Sequence, residues 1–185
     1  TYYARIKPRG EMDNMDEITK EVRSMMDPEA AFDDADMSEE LPEFGANDVF
    51  GLSWKNVLDA YSCTECGRCT AVCPANITGK KLSPRKVMMD IRDRAEEIGR
   101  NLDSGSEEFA KDKSQPLSQD NYDDGKSLFD YTTSEELHAC TTCNACVEAC
   151  PVLINPLDPI LKMRRYEILT LSQGPQDWLP MFNSL

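Results

Sequence analysis

The residues of this chain best suited to chemistry are its eight cysteines, which come in two groups of four with identical spacing. The first group reads Cys63-x-x-Cys66-x-x-Cys69-x-x-x-Cys73-Pro74, the second Cys140-x-x-Cys143-x-x-Cys146-x-x-x-Cys150-Pro151. Every equivalent pair is 77 residues apart, as are Ile77 and Ile154 just beyond the prolines. The chain therefore holds an internal repeat with one thiol motif per copy. A cubane cluster has four irons, each needing one thiolate beyond its bridging sulfides, and three cysteines two residues apart let one short loop reach three of them. The fourth must come from elsewhere, and where two such motifs occur it comes from the other motif. The spacing predicts two [4Fe–4S] sites. Cys63, Cys66, Cys69 and Cys150 would hold one cluster, and Cys140, Cys143, Cys146 and Cys73 the other.

Two other uses of eight thiols fit less well. Zinc is often bound by two separated C-x₂-C pairs, and a third cysteine two residues on, with a fourth before proline, is not the pattern it needs. A disulfide framework accompanies secretion, whereas the stretch from Thr1 to Gly10 is polar, aromatic and basic rather than a secretory signal. Between the ligands, Gly67, Ala71, Ala145 and Ala149 leave room for N–H groups to approach sulfur, and such bonds tune a reduction potential. Pro74 and Pro151 turn the chain away after the last ligand. Because each site draws on both halves, the two lie near one another, and losing one is expected to loosen both.

The elements that position these loops read as helices. Ser53 can cap a turn carrying Trp54, Val57, Leu58 and Tyr61, and Ser134 followed by Glu135, Glu136 and Leu137 plays the same part before the second motif. After the first motif, Ser83-Pro84 offers an N-cap and a proline at the first helical position. That helix is expected to stop at Gly99, with Val87, Met88, Ile91, Ala95 and Ile98 on its inner face. Asp158-Pro159 repeats the device for a helix through Ile160, Leu161, Met163, Tyr166, Ile168 and Leu169, ended by Gly174-Pro175. No alternating strand pattern lies near the motifs. The expectation is an all-α fold: an acidic N-terminal arm (1–50), a cluster-binding domain (51–174) with a surface insertion (101–130), and a C-terminal tail (175–185). The insertion is rich in Ser, Asp, Gly and Gln, with a short helical turn expected around Glu107–Lys111.

Charge and the remaining side chains narrow the function. With 20 Lys+Arg against 34 Asp+Glu the formal charge is −14, which argues against a nucleic-acid partner. Much of the acid lies in Glu11–Phe50, where 14 Asp/Glu face only Lys20 and Arg23. Within this arm, Met15, Ile18, Val22 and Met25–Met26 form an amphipathic stripe that could dock on a partner or pack on the chain's own core. His138, the single histidine, lies two residues before Cys140 and matches Tyr61; a helix-surface position and a proton- or potential-adjusting role are both open. The basic groups Lys80–Lys81, Arg85–Lys86 and Lys162/Arg164–Arg165 could offset the anionic clusters, form a docking face or simply be solvated. The nine methionines, Met88 and Met89 among them, read most simply as core filler. No run of about 18 apolar residues is present to span a bilayer. No nucleophile–base pair, phosphate loop or dinucleotide fingerprint supports catalysis in this chain alone, so no catalytic residue is expected. The start at Thr1 and the end at Asn183–Ser184–Leu185 suggest a processed chain or part of a longer one.

From Trp54 to Leu171 the chain resembles the α-helical ferredoxin domain, most specifically in CTECGRCTAVCPANITGKKLSPRK and CTTCNACVEACPVLINPLDP. That domain occurs in heterodisulfide reductase, glycolate oxidase and lactate-utilisation iron–sulfur subunits, and in the C-terminal half of succinate dehydrogenase and fumarate reductase iron–sulfur subunits. The first stretch is most similar to the heterodisulfide-reductase-related proteins. Succinate dehydrogenases usually lack the cysteine found here as Cys143, so the resemblance implies two [4Fe–4S] clusters rather than a [3Fe–4S] centre. No cysteine precedes residue 63 to build a [2Fe–2S] domain, and no Cys-Cys pair marks a CCG domain.

The resemblance implies electron transfer through a relay module of a larger oxidoreductase, its substrate site on another subunit. The implied partners are a flavoprotein or a CCG-domain protein, and a membrane haem or quinone module. In several relatives such a membrane part precedes the domain, and Tyr2-Tyr3-Ala4-Arg5-Ile6-Lys7-Pro8-Arg9 would suit the exit from it. The implied location is the cytoplasm, including the inner face of the membrane within a complex. A free ferredoxin-like carrier and a structural or sensor iron–sulfur protein are the alternatives.

Overall fold

The local signals around each motif become helices, joined by loops that carry the cysteines. In a computed structural model, residues 16–26, 44–175, 178, 180 and 184 are described. The aromatic-basic stretch at Tyr2–Arg9, Met15 and most of the acidic arm and tail lie outside them. In chain order the helices are α1 (Asp16–Met26), α2 (Trp54–Ser62), α3 (Arg68–Ala71), α4 (Pro74–Ile77), α5 (Pro84–Ser104), α6 (Ser134–His138), α7 (Ala145–Glu148) and α8 (Leu157–Arg165). A π-helical turn, Tyr166–Thr170, continues α8. Among the described residues the nearest approach to a sheet is one isolated bridge, Ala110 to Tyr122. The fold is all-α, as the sequence predicts.

Helix α2 begins where expected: Ser53 Oγ accepts from the Asn56 N–H and the Asn56 side chain accepts from the Ser53 N–H, a closed capping box. Its orientation is not the one its pattern suggests. Asn56 and Asp59 are buried, whereas Trp54, Leu58 and Tyr61 are half to two-thirds exposed. The reason is polar. Asn56 donates to Asp158 Oδ2 at 2.7 Å and accepts from Lys162 Nζ at 2.8 Å, while Asp59 accepts from the Asn155 N–H at 3.1 Å. These bonds tie α2 to the start of α8 and leave Trp54, Leu58 and Tyr61 outside, while Val57 packs against the core. In α1, similarly, Val22, Met25 and Met26 are exposed.

Helix α5 starts at Pro84, capped by Ser83 as predicted, but does not stop at Gly99. It runs on to Ser104, and Gly105 (φ 62°) supplies the left-handed terminus. Nothing lies within 4 Å of where a Cβ on Gly99 would sit, so that glycine is an open helix position. Two further ends shift. Helix α6 is capped by Thr133, one residue before Ser134, in a box with Glu136. Helix α8 begins at Leu157, and Asn155 Oδ1 rather than Asp158 accepts from its first N–H groups, at 3.0 and 3.3 Å.

The core forms where these helices meet. Val87, Met88 and Ile91 of α5 pack with Leu137 of α6, Ile160 and Met163 of α8, and Leu82 and Leu128 from the loops, all essentially unexposed. Ser83-Pro84 and Asp158-Pro159 are 75 residues apart, as are Met88 and Met163. The repeat thus continues past the motifs with two residues fewer in its second loop. Segment 44–46 crosses α8 so closely that a Cβ on Gly45 (φ 101°) would lie 2.2 Å from the Lys162 carbonyl oxygen. The 101–130 stretch is fastened to the same body by Tyr122 and Leu128, both buried. Its first residues, through Ser104, belong to α5.

The main anchor of that stretch is Arg94, the largest fully buried side chain. Its guanidinium meets Asp48 at 2.6 Å, Asp124 at 2.5 Å and the Lys126 carbonyl at 3.0 Å. Burial alone would lower its pKa, but the hydrogen bonds to Asp124 and Asp48 outweigh burial and hold it above the ordinary guanidinium value. One cation thus clamps the segment before α2 and the insertion onto α5.

Candidate metal centres

The two cysteine loops share one backbone design. Cys63 and Cys140 each follow a helix, their N–H groups donating to the Ala60 and Leu137 carbonyls at 3.3 and 3.2 Å. Next come left-handed residues at matching places: Glu65 (φ 55°) with Thr142 (φ 56°), and Gly67 (φ 78°) with Asn144 (φ 61°). Gly and Asn visit this region at little cost, whereas Glu and Thr do so under strain. The left-handed residues flank Cys66 and Cys143 and coil each loop tightly. Cys69 and Cys146 then sit in the one-turn helices α3 and α7, which pack against each other. Cys73 caps α4 with Pro74 at its first position. The second copy differs here: after Cys150 the chain makes a turn in which Leu153 takes φ 62°.

This path gathers the eight thiols four and four. One cavity is lined by Cys63, Cys66, Cys69 and Cys150, and a second by Cys73, Cys140, Cys143 and Cys146. Met88, Ile154 and Pro156 wall the first, while Leu82, Leu157 and Ile160 wall the second. None of the eight forms a disulfide; Cys73, Cys146 and Cys150 are buried, and Cys66 and Cys143 face solvent. Among the described residues no three His, Cys, Asp or Glu groups converge on a single ion. Thiols standing around a cavity suit a polynuclear group with soft donors better than zinc, whose four sulfurs must all lie about 2.3 Å from one atom. The residues therefore fit a [4Fe–4S] group in each cavity.

Backbone and burial treat the thiols unequally. The Arg68 N–H holds the Cys66 thiol below its usual pKa. Burial pushes Cys69 and Cys140 up, and Cys146 up to about 12. A hydrogen bond from the Thr142 N–H reaches Cys140 Sγ at 3.4 Å.

Charged side chains close to the cavities had only partial sequence signals. His138 is not a surface residue: its side chain is 8% exposed. Its Nε2 lies 3.0 Å from Glu167 Oε2, and its ring meets the edge of Trp178. The π-helical turn carries Glu167 inward to meet it. Arg164 crosses the end of α6 and donates to the Leu137 and Cys140 carbonyls. Lys86, by contrast, is spent on Asp90 and Glu136, and Lys81 on Glu135. Among the described residues no helix is long and apolar enough to cross a membrane.

Residues 62–154, half of the chain, match the family described as 4Fe-4S dicluster domain. A probable iron-sulfur-binding oxidoreductase, FadF, of Bacillus subtilis is 34% identical over 77% of this chain and 22% of its own length. The EtfAB:quinone oxidoreductase of Syntrophomonas wolfei is 31% identical over 80% of this chain and 22% of its own. A probable membrane-anchored ferredoxin of Chromohalobacter salexigens is 36% identical over 77% and 20%. The chain spans about a fifth of the length of these relatives. No solved structure matches it.

Proposed function

The chain belongs to the 4Fe-4S dicluster domain family, and on that premise we propose that it relays electrons through two [4Fe–4S] clusters within a larger oxidoreductase of heterodisulfide-reductase-like type. Cys63, Cys66, Cys69 and Cys150 hold one cluster, and Cys140, Cys143, Cys146 and Cys73 the other. The observation that carries this reading is the sorting of eight cysteines into two cavities, each taking three from one motif and one from the other. When bound, such clusters supply reversible one-electron transfer. The protein's part is to bind and orient. Met88, Ile154 and Pro156 on one side, and Leu82, Leu157 and Ile160 on the other, keep water from the inner faces. Cys66 and Cys143, the exposed ligands, mark where each site approaches the surface.

No side chain has an acid–base or nucleophilic task in this reading, so the substrate is handled elsewhere. The names of the relatives, two oxidoreductases and a ferredoxin, support redox partners: a flavoprotein or CCG-domain protein on one side, and a membrane haem or quinone module on the other. The location that follows is the cytoplasm, at the inner face of the membrane when the complex is assembled there. Anaerobic purification with iron and sulfide analysis, followed by EPR of the reduced protein, tests the proposal. About eight irons and magnetic coupling between two reduced centres are expected. About two zincs without sulfide would overturn it.

A further inference from the structure

The two cavities repeat each other in backbone but not in the charge set behind them. Arg164, on the last turn of α8, lays its guanidinium across the end of α6. Its Nε and Nη2 donate to the Leu137 carbonyl at 2.8 and 2.5 Å, and Nη2 also to the Cys140 carbonyl at 2.5 Å. The side chain is half-buried, and its positive charge acts on the Cys140 thiol. Glu167, the carboxylate that acts on the same guanidinium, is engaged by His138 Nε2 at 3.0 Å. In the first copy the matching carbonyls belong to Ala60 and Cys63, and Lys86, Arg92 and Arg94 among the described residues bond elsewhere. In the register set by Pro84 and Pro159, the residue matching Arg164 is Met89. Of the cations near the first cavity, Arg68 and Arg85 are exposed, where water and salt screen them, and the half-buried Arg92 is paired with Glu65 at 2.7 Å and Asp93 at 3.2 Å.

We propose that Arg164 is a positioning residue that sets the two sites apart, fixing the Cys140 loop and holding the Cys140/Cys143/Cys146/Cys73 site at the higher reduction potential. The argument rests on the two-cluster reading above. Reduction adds a negative charge, and a fixed cation in a partly desolvated place favours it more than an exposed one does. An electron shared by the two sites then resides mainly at the second, and transfer from the Cys63/Cys66/Cys69/Cys150 site toward it is downhill.

The test is an EPR-monitored redox titration of the anaerobically purified protein, comparing wild type with Arg164→Gln and Arg164→Lys, each with its iron and sulfide counted. In Arg164→Gln the higher of the two midpoints should fall. At a fixed potential its reduced-to-oxidised ratio should drop about tenfold, equivalent to about 59 mV for one electron. The lower midpoint should move less than about threefold on the same scale, and Arg164→Lys, which keeps the charge though not the forked hydrogen bonds, should stay within about threefold of wild type at both. An unmoved higher midpoint with full iron sinks the proposal. So does a shift confined to the lower midpoint, or an equal fall in Arg164→Lys. Should Arg164→Gln lose iron, the lysine variant decides: a higher midpoint near wild type supports the role of charge, and a tenfold fall refutes it. Wild-type protein without about eight irons would instead sink the two-cluster reading, and this proposal with it.

Discussion

Replacing Arg94 by Met removes a buried cation while nearly preserving side-chain volume, and isolates what the clamp contributes. The guanidinium is 1% exposed and faces Asp48 at 14% and Asp124 at 5%. Arg94→Met leaves both carboxylates facing an apolar group, and the Lys126 carbonyl without this donor. Removing one partner of a buried ion pair costs about 3–5 kcal/mol, a large share of the roughly 5–15 kcal/mol that holds a domain together. For a chain of this size each kcal/mol moves the midpoint by about 2–4 °C, so the apparent Tm should fall by about 10 °C. Circular dichroism of the anaerobic holoprotein at one fixed heating rate measures this, since cofactor loss makes the transition irreversible. Neutralising the stranded acids in Arg94→Met/Asp48→Asn/Asp124→Asn should recover part of the loss. A single variant within about 3 °C of wild type would refute the view that this cluster clamps the insertion to α5.

Three other outcomes follow from named contacts. Cys69→Ala/Cys150→Ala changes two thiols of one cavity and should cost about four irons, whereas Cys69→Ala/Cys73→Ala touches both cavities and should cost about eight; the reverse result by iron analysis would refute the crossed ligand sets. Gly99→Ala puts a methyl into open space within α5 and should stabilise by about 0.8 kcal/mol, read as a small rise in apparent Tm. Burial would raise the Asp124 carboxyl, but hydrogen bonds from Arg94 and Tyr122 outweigh it and hold the pKa at about 2 against an ordinary 3.8. A depressed carboxylate stabilises the fold above its unfolded pKa and loses that contribution as pH falls through its folded one, here about 2 kcal/mol between about pH 4 and 2. In pH-jump measurements of helix loss the wild type should therefore accelerate more steeply over that window than Asp124→Asn.

The parts of the fold that local chemistry decides were legible in the residues. Ser53 and Ser83-Pro84 begin helices because hydroxyl caps and a proline at the first position act within one turn. The cysteine spacing likewise encodes three thiols in one loop. What tertiary contacts decide was not legible. The stripe of Trp54, Leu58 and Tyr61 reads as an inner face, yet Asn56 and Asp59 turn inward because their partners, Asp158, Lys162 and Asn155, lie about a hundred residues away. Gly99 looks like a helix terminus because its sequence neighbourhood cannot reveal the packing that carries α5 to Gly105. Arg94 has the composition of a solvated helix face, and only Asp48 and Asp124, distant in sequence, make it internal. Arg164 could be counted among basic residues near a motif, but not seen as a donor to two carbonyls. The paired left-handed positions at Gly67 and Asn144 did leave a trace, since these two residue types tolerate that conformation best.

The division of thiols between the cavities also bears on the order in which such a chain can be completed. When Cys73 leaves the ribosome, three walls of one cavity and a single thiol of the other exist. The second cavity gains its last thiol with Cys146, 73 residues later, and the first with Cys150, 77 residues later, a delay of about 4–15 s at ordinary rates of synthesis. For most of that interval neither cavity has its four thiols. Maturation of the protein is in this sense a late event, and a truncation just before Cys150 leaves the first cavity one thiol short although its own motif is complete.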